Sequence, residues 1–213
     1  MENLLKFNFN QRYLVLDTET EGLNLITSRP WQISWLVSTG KKVEAVHDHF
    51  VAWEDLKVSP DAARITGFDK KKYIEKREDP HHVFNLLWKE IAREDTIIVG
   101  HNLLQFDIYV INTLRRLLSL QSDYSYLYRL LDTNALAVAI RHNLQPPHAL
   151  SDGNLLSWQY KLAHNRQRGV KTNMGAMLKH YDIPYDAGKL HNAEYDIRKN
   201  HELLWKELGD LDL

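Results

Sequence analysis

Apolar and polar positions along this chain fall into blocks whose period changes. Residues 13–19 set four apolar side chains in a row between Gln11-Arg12 and Asp17. That is the pattern of a strand buried on both faces and central in its sheet. Early alternation in 32–38 and apolar ends in 46–51 predict two further strands, over 32–38 and 42–53, which short connections join to the first as an antiparallel meander. Glu21-Gly22-Leu23-Asn24 reads as the first turn, with Gly22 free to take a positive φ, and Gly40-Lys41 supplies the second. Ser59-Pro60 caps a short helix over 61–66, Gly67 stops it, and a lysine-rich loop, Lys70-Lys71-Lys72, follows.

The period then becomes helical. After Pro80, Val83, Leu86, Leu87, Glu90 and Ile91 keep an i, i+3, i+4 rhythm. A short buried strand over 96–100 runs through His101-Asn102 into a long helix, with Ile108, Ile111, Leu114 and Leu118 inward and Arg115-Arg116 outward. Residues 128–131 start a strand or a helix that leads to Asp132-Thr133, and 134–141 and 174–181 are helical. A last helix begins near Ala193 and carries Ile197, Leu203, Leu204 and Leu208. The stretch 142–173 reads as an insertion. A structureless loop of that length is uncommon, so a short helix is expected near 155–163.

Composition bounds the picture. A chain of 213 residues, 44% hydrophobic and 26% charged, fits one α/β domain over 1–213. Having no cysteine excludes disulfides and thiolate-held zinc, which leaves carboxylate, imidazole and water as metal ligands. A net charge of −1 neither supports nor excludes a nucleic acid partner. Met1-Glu2-Asn3-Leu4-Leu5-Lys6 lacks a basic stretch followed by an apolar one, and no apolar run approaches membrane-spanning length. A cytoplasmic protein without membrane contact is the expectation.

Candidate chemistry lies where the elements end. A spacing of two in an extended segment aims Asp17 and Glu19 at one spot, where their repulsion is relieved by a divalent cation or, alternatively, by water at a strand end. Asp107 begins one helix, where an acid also suits the helix dipole. Asp196 lies in the first turn of another, five residues after His191. Carboxylate oxygens are ligands for Mg2+ or Mn2+, and a pair of such ions suits phosphoryl chemistry.

Taken in order, Asp17-x-Glu19, Asn102-x-x-x-Phe106-Asp107 and His191-x-Ala193-x-x-Asp196 resemble the three motifs of the DEDDh group of 3′-to-5′ exonucleases, proofreading subunits and ribonuclease T among them. The resemblance spans residues 13–205, nearly the whole chain. It implies a ribonuclease H-like fold, a mixed five-stranded sheet flanked by helices. It also implies hydrolysis with two Mg2+ or Mn2+ ions, releasing nucleoside monophosphates from the 3′ end of single-stranded DNA. Asp17, Glu19 and Asp196 would hold one ion, Asp17 would share the second with the scissile phosphate, and Asp107 would act partly through water. His191 would deprotonate the attacking water. The second motif departs from many members in having three residues between Asn102 and Phe106. Asn192 stands where tyrosine-type members carry their tyrosine, so the histidine assignment stays with His191.

Residues 59–68 and Met174-Gly175-Ala176-Met177-Leu178 are similar to segments of the exonuclease I branch. Substrate contacts are accordingly expected from Thr18, Gly22, Leu23, Asn24, Thr66, His101, Asn102 and Phe106, with Leu23 wedged against the terminal bases. Trp31 and Phe68 are candidate stacking platforms, weighed against places in the core. Lys70-Lys71-Lys72 and Arg166-Gln167-Arg168 are candidates to track the phosphates. The chain ends just after the last motif helix, from which lower processivity is expected. An RNA-directed enzyme of the same family, and a polymerase-associated or self-associating subunit that acts mainly through binding, are the alternatives.

Overall fold

A computed structural model describes residues 8–147, 152–164 and 169–211. The first residues of the chain and Arg166-Gln167-Arg168 lie outside the described residues. Among the described residues, no helix is long and apolar enough to cross a membrane.

Among the described residues, six strands form one mixed sheet: β1 (Arg12–Thr20), β2 (Pro30–Thr39), β3 (Lys42–Val51), β4 (Arg77–Glu78), β5 (Thr96–Gly100) and β6 (Leu130–Asp132). Their order is β4-β3-β2-β1-β5-β6. The meander β1-β2-β3 is antiparallel, while β1-β5, β5-β6 and β3-β4 are parallel. The sheet has one strand more than the expected five. The extra strand, β4, pairs only Phe50 with Arg77 and Val51 with Glu78, too few residues to leave an alternating pattern.

Helix α1 (Pro60–Thr66) forms as predicted, with the Ser59 hydroxyl accepting from Ala62 N at 3.1 Å and Gly67 closing it at φ 67°. The lysine-rich segment is a second helix, α2 (Lys70–Lys76), rather than a loop. Asp69 caps it by accepting from the Lys71 and Lys72 amides, and Tyr73 is its one buried residue. A single inward residue gives no period to read. The helix expected near 155–163 is longer than predicted, running as α6 over Asp152–His164.

Strand parity divides the core. Leu14 and Leu16 of β1 pack with β2 residues against α3 (Pro80–Ile91) and α4 (Asp107–Leu117). Tyr13 and Val15 pack on the opposite face against α5 (Thr133–Arg141) and α8 (Ala193–Leu211). Helix α7 (Met174–His180) docks against α5 and α8 through Met177 and Leu178. Strands β1, β5 and β6 all point their carboxyl ends the same way, beside the place where the direction of β2 reverses. Open α/β sheets leave a crevice at such a position.

Candidate active site

The crevice is a cleft of about 990 Å³, and its lining includes Asp17, Thr18, Glu19, Gly22, Leu23, Thr66, His101, Asn102, Phe106, Asp107, His191 and Asp196. The three motifs therefore converge from strands and helices far apart in sequence. Of the expected contacts, Asn24, Trp31 and Phe68 lie elsewhere. Trp31 is 3% exposed, stacked on Phe50 and edge-on to Phe68 at 4.9 Å, while Phe68 packs against Tyr73. Trp31 belongs to a small core under α2, and Phe68, half-buried, packs against it outside the cleft lining. Asn24 uses its side-chain oxygen to accept from Ile26 N and Thr27 N, shaping the loop beyond β1.

That loop presents Leu23, which is 87% exposed. It is braced from below: the Arg29 guanidinium donates two bonds to Glu21 at 2.9 and 2.7 Å, and Lys57 N donates a third at 2.8 Å. Burial works against ionisation of Glu21, yet these donors hold its carboxyl below the ordinary value. Gly22 is not among the positive-φ residues. A Cβ there would meet only Ser28 Oγ at 3.7 Å, so the turn does not depend on left-handed backbone.

Asp17 and Glu19 face the α8 side of β1, where Asp196 stands in the first turn of that helix. Each of the three offers a ligand oxygen, all within 4.8 Å of one another. Asp196 Oδ2 accepts from His191 N at 2.9 Å, while its Oδ1 is buried with no hydrogen-bond partner. Burial and mutual repulsion push Asp17 and Glu19 well above the usual carboxylate range, and burial lifts Asp196 to about 7. An acidic set so crowded, with an orphaned oxygen, fits a divalent cation.

Asp107 arrives differently. It starts α4, on the other face of the sheet, and Thr18, whose side chain points that way, donates its hydroxyl to Asp107 Oδ1 at 2.7 Å. Burial raises the Asp107 carboxyl to about 7 although the Thr18 bond pulls it down. His191 is exposed on the cleft wall with φ 67°, a left-handed conformation that turns its amide toward Asp196. It does not cap α8. Asn192 does, accepting from Tyr195 N at 3.2 Å.

One part of the support was not legible in the motifs. Asp132, fully buried at the end of β6, accepts from Asn102 N and Leu104 N at 2.9 Å and also caps α5 through Asn134 N. It thus pins the turn that carries His101 and Asn102, the latter at φ 72°. His101 Nδ1 lies 3.0 Å from Thr133 Oγ1, which in turn bonds Asn200. Burial lowers the His101 imidazole to about 4, so it is neutral near pH 7. The opposite wall, from α1 (Ser59, Asp61, Ala62, Ile65), α5 (Asn134, Val138, His142) and the segment before α7, was also outside the motifs.

Comparison with known proteins follows this geometry. The family model described as the exonuclease family, that of ribonuclease T, matches residues 14–204. This chain belongs to the exonuclease family. No curated protein sequence matches it. Among solved structures, the exonuclease I structure described as suggesting how processivity is achieved superposes at a TM-score of 0.69 with 18% identity, over 93% of this chain and 40% of that one. A zinc-bound complex of Escherichia coli exonuclease I with single-stranded DNA gives 0.71 and 17%, with the same shares covered. The E. coli enzyme with a dT13 oligonucleotide gives 0.69 and 17%. The likeness establishes the ribonuclease H-like fold of the exonuclease domain. The chain spans about two fifths of the length of these relatives.

Proposed function

We propose that this protein hydrolyses single-stranded DNA from its 3′ end, releasing nucleoside 5′-monophosphates. The observation that carries the reading is the meeting of Asp17, Glu19 and Asp196 within 4.8 Å, beside Asp107 and His191, in a cleft large enough for terminal nucleotides. Asp17, Glu19 and Asp196 would hold one Mg2+ or Mn2+ ion, and Asp17 with Asp107 would hold or steer a second. When bound, the pair supplies positive charge to the attacking and leaving oxygens. His191, exposed at the wall, accepts a proton from water as that water attacks phosphorus. The bond to the 3′-oxygen of the preceding nucleotide breaks, and that oxygen is protonated. Leu23 at the rim packs against the terminal bases.

Single-stranded DNA is favoured over RNA by the similarity of residues 59–68 to the exonuclease I branch, and those relatives have been crystallised with oligonucleotides. The deciding assay incubates 5′-labelled DNA and RNA of one sequence with the protein and magnesium, beside an Asp17→Asn control. A ladder shortening from the 3′ end, faster on DNA and absent in the control, is expected. A faster RNA ladder reassigns the substrate, and no ladder on either refutes the hydrolytic reading. His191→Ala should lower kcat by about 10²- to 10⁴-fold while leaving the magnesium requirement nearly unchanged; equal losses in both would make His191 a ligand.

A further inference from the structure

Outside the cleft, tyrosines gather beside the wall that Phe106 and Ala163 help to form. Phe106 lines the cleft at the start of α4, and Tyr109 follows it, its amide donating to Phe106 O at 3.0 Å. The Gln105 side chain donates to Ala163 O, which ties this end of α4 to the last turn of α6, and Ala163 itself lines the cleft. One turn earlier on α6 stands Tyr160, its ring 4.2 Å from that of His164. Burial, then the neighbouring phenols of Tyr160 and Tyr124, raise the Tyr109 phenol above its ordinary value, which places the three side chains together. Yet Tyr109, Tyr124 and Tyr160 are 38%, 49% and 44% exposed. Three large rings in one patch, half in water and joined to a cleft, mark a surface used for binding.

We infer that Tyr109 and Tyr160 form a base-stacking platform outside the cleft, continuous with Phe106, for single-stranded nucleic acid on the 5′ side of the terminal nucleotides. The inference rests on the nucleic-acid reading above. The occupant is argued from continuity: a strand whose 3′ end reaches Asp17 must leave past the cleft wall, and Phe106 and Ala163 connect that wall to the two rings. It is also argued from charge. Lys161, exposed beside Tyr160, meets a phosphodiester on the α6 side of the patch, and the acid there, Asp123, stands next to Tyr124, which the platform does not use. Aromatic faces hold bases of any identity, which suits a strand degraded without regard to sequence.

The test is fluorescence anisotropy in an Asp17→Asn background with magnesium, using a 5′-labelled thymidine dodecamer and a thymidine trimer. Tyr109→Ala/Tyr160→Ala should bind the dodecamer about ten-fold or more weakly and the trimer as the parent does. Tyr109→Phe/Tyr160→Phe, which keeps the rings, should restore the dodecamer. Abasic positions in the 5′ half of the dodecamer should reproduce the loss on the parent and add nothing on the alanine variant. Because this arm uses the parent protein, it stands even if the alanine variant folds poorly. Equal dodecamer affinity in all three proteins, equal losses on both oligomers, or no effect of abasic positions on the parent would overturn the platform. So would loss of a dimer in sedimentation with dodecamer affinity unchanged, which would make the patch a self-association face. A parent that binds neither oligomer would instead refute the nucleic-acid reading itself.

Discussion

Replacing Thr18 with valine is the sharpest probe of how the site is held. The substitution keeps the branched shape of a buried side chain and deletes one hydroxyl, the one that donates to Asp107 at 2.7 Å. A bond to an ionised carboxylate is worth ~1.5–3 kcal/mol, or about 10- to 100-fold in an equilibrium. Burial has already pushed Asp107 to about 7, with Thr18 as the main opposing influence. Without the hydroxyl the carboxyl titrates higher still. Protons and cations compete for that carboxylate, so at pH 7 the variant should need more magnesium for half-maximal rate and should lose about 10- to 100-fold in kcat. The acid limb of its pH–rate profile should move up, and most of the rate should return near pH 9 in excess magnesium. Steady-state hydrolysis of a labelled oligonucleotide from pH 5.5 to 9.5, at several magnesium concentrations, measures all three. Thr18→Ser should behave as wild type. A valine variant with an unmoved acid limb would show that Thr18 does not orient Asp107.

The remaining predictions concern charge and the rim. In the metal-free protein, Asp17, Glu19, Asp107 and Asp196 all have raised pKa values, so the folded state holds protons that the unfolded chain has released. Their contribution is present below the ordinary carboxylate range and is lost as pH rises through about 7. Thermal melting in chelator should therefore show stability falling from the ordinary carboxylate range near pH 4 up through about pH 7, with magnesium restoring more of it at the higher pH; a magnesium effect independent of pH would contradict this. Glu207 on α8 is fully buried with neither carboxylate oxygen hydrogen-bonded, and burial, then Asp132 and Asp210, raise its pKa. By the same sign, Glu207→Gln should raise the urea midpoint at pH 9 and change it little at pH 5. Leu23→Ala removes an exposed side chain, so Tm should hold while kcat/KM on oligonucleotides falls about ten-fold, from a leucine's ~1.5–3 kcal/mol of burial; a lowered Tm would place Leu23 in the fold instead.

Much of the fold was legible because its central elements are periodic. β1 reads as buried on both faces from four consecutive apolar residues, and α4 and α8 read from their inward stripes. The acidic set was legible because Asp17 and Glu19 alternate onto one face of β1, which runs past them to Thr20 rather than ending there, and because Asp107 and Asp196 lie in the first turns of helices. What escaped had too few residues to carry a period, as with β4 and with α2, whose only inward residue is Tyr73. Trp31 and Phe68 show the limit for side chains. An aromatic beside a predicted strand looks the same in sequence whether it faces solvent or a neighbour such as Tyr73, and only the packing of α2 decides. Asp132 escaped because its acceptors serve backbone amides of a distant turn, a partnership that leaves no local spacing.

The delivery of the acids from both faces of one strand has a consequence for synthesis. Asp17 and Glu19 are synthesised before their third partner, Asp196, which sits on a helix that follows every strand, and Asp107 needs α4 packed on the opposite side. A nascent chain displaying only its first strands has two repelling carboxylates and no cation cage. The acidic cluster is thus incomplete until α8 docks on β1.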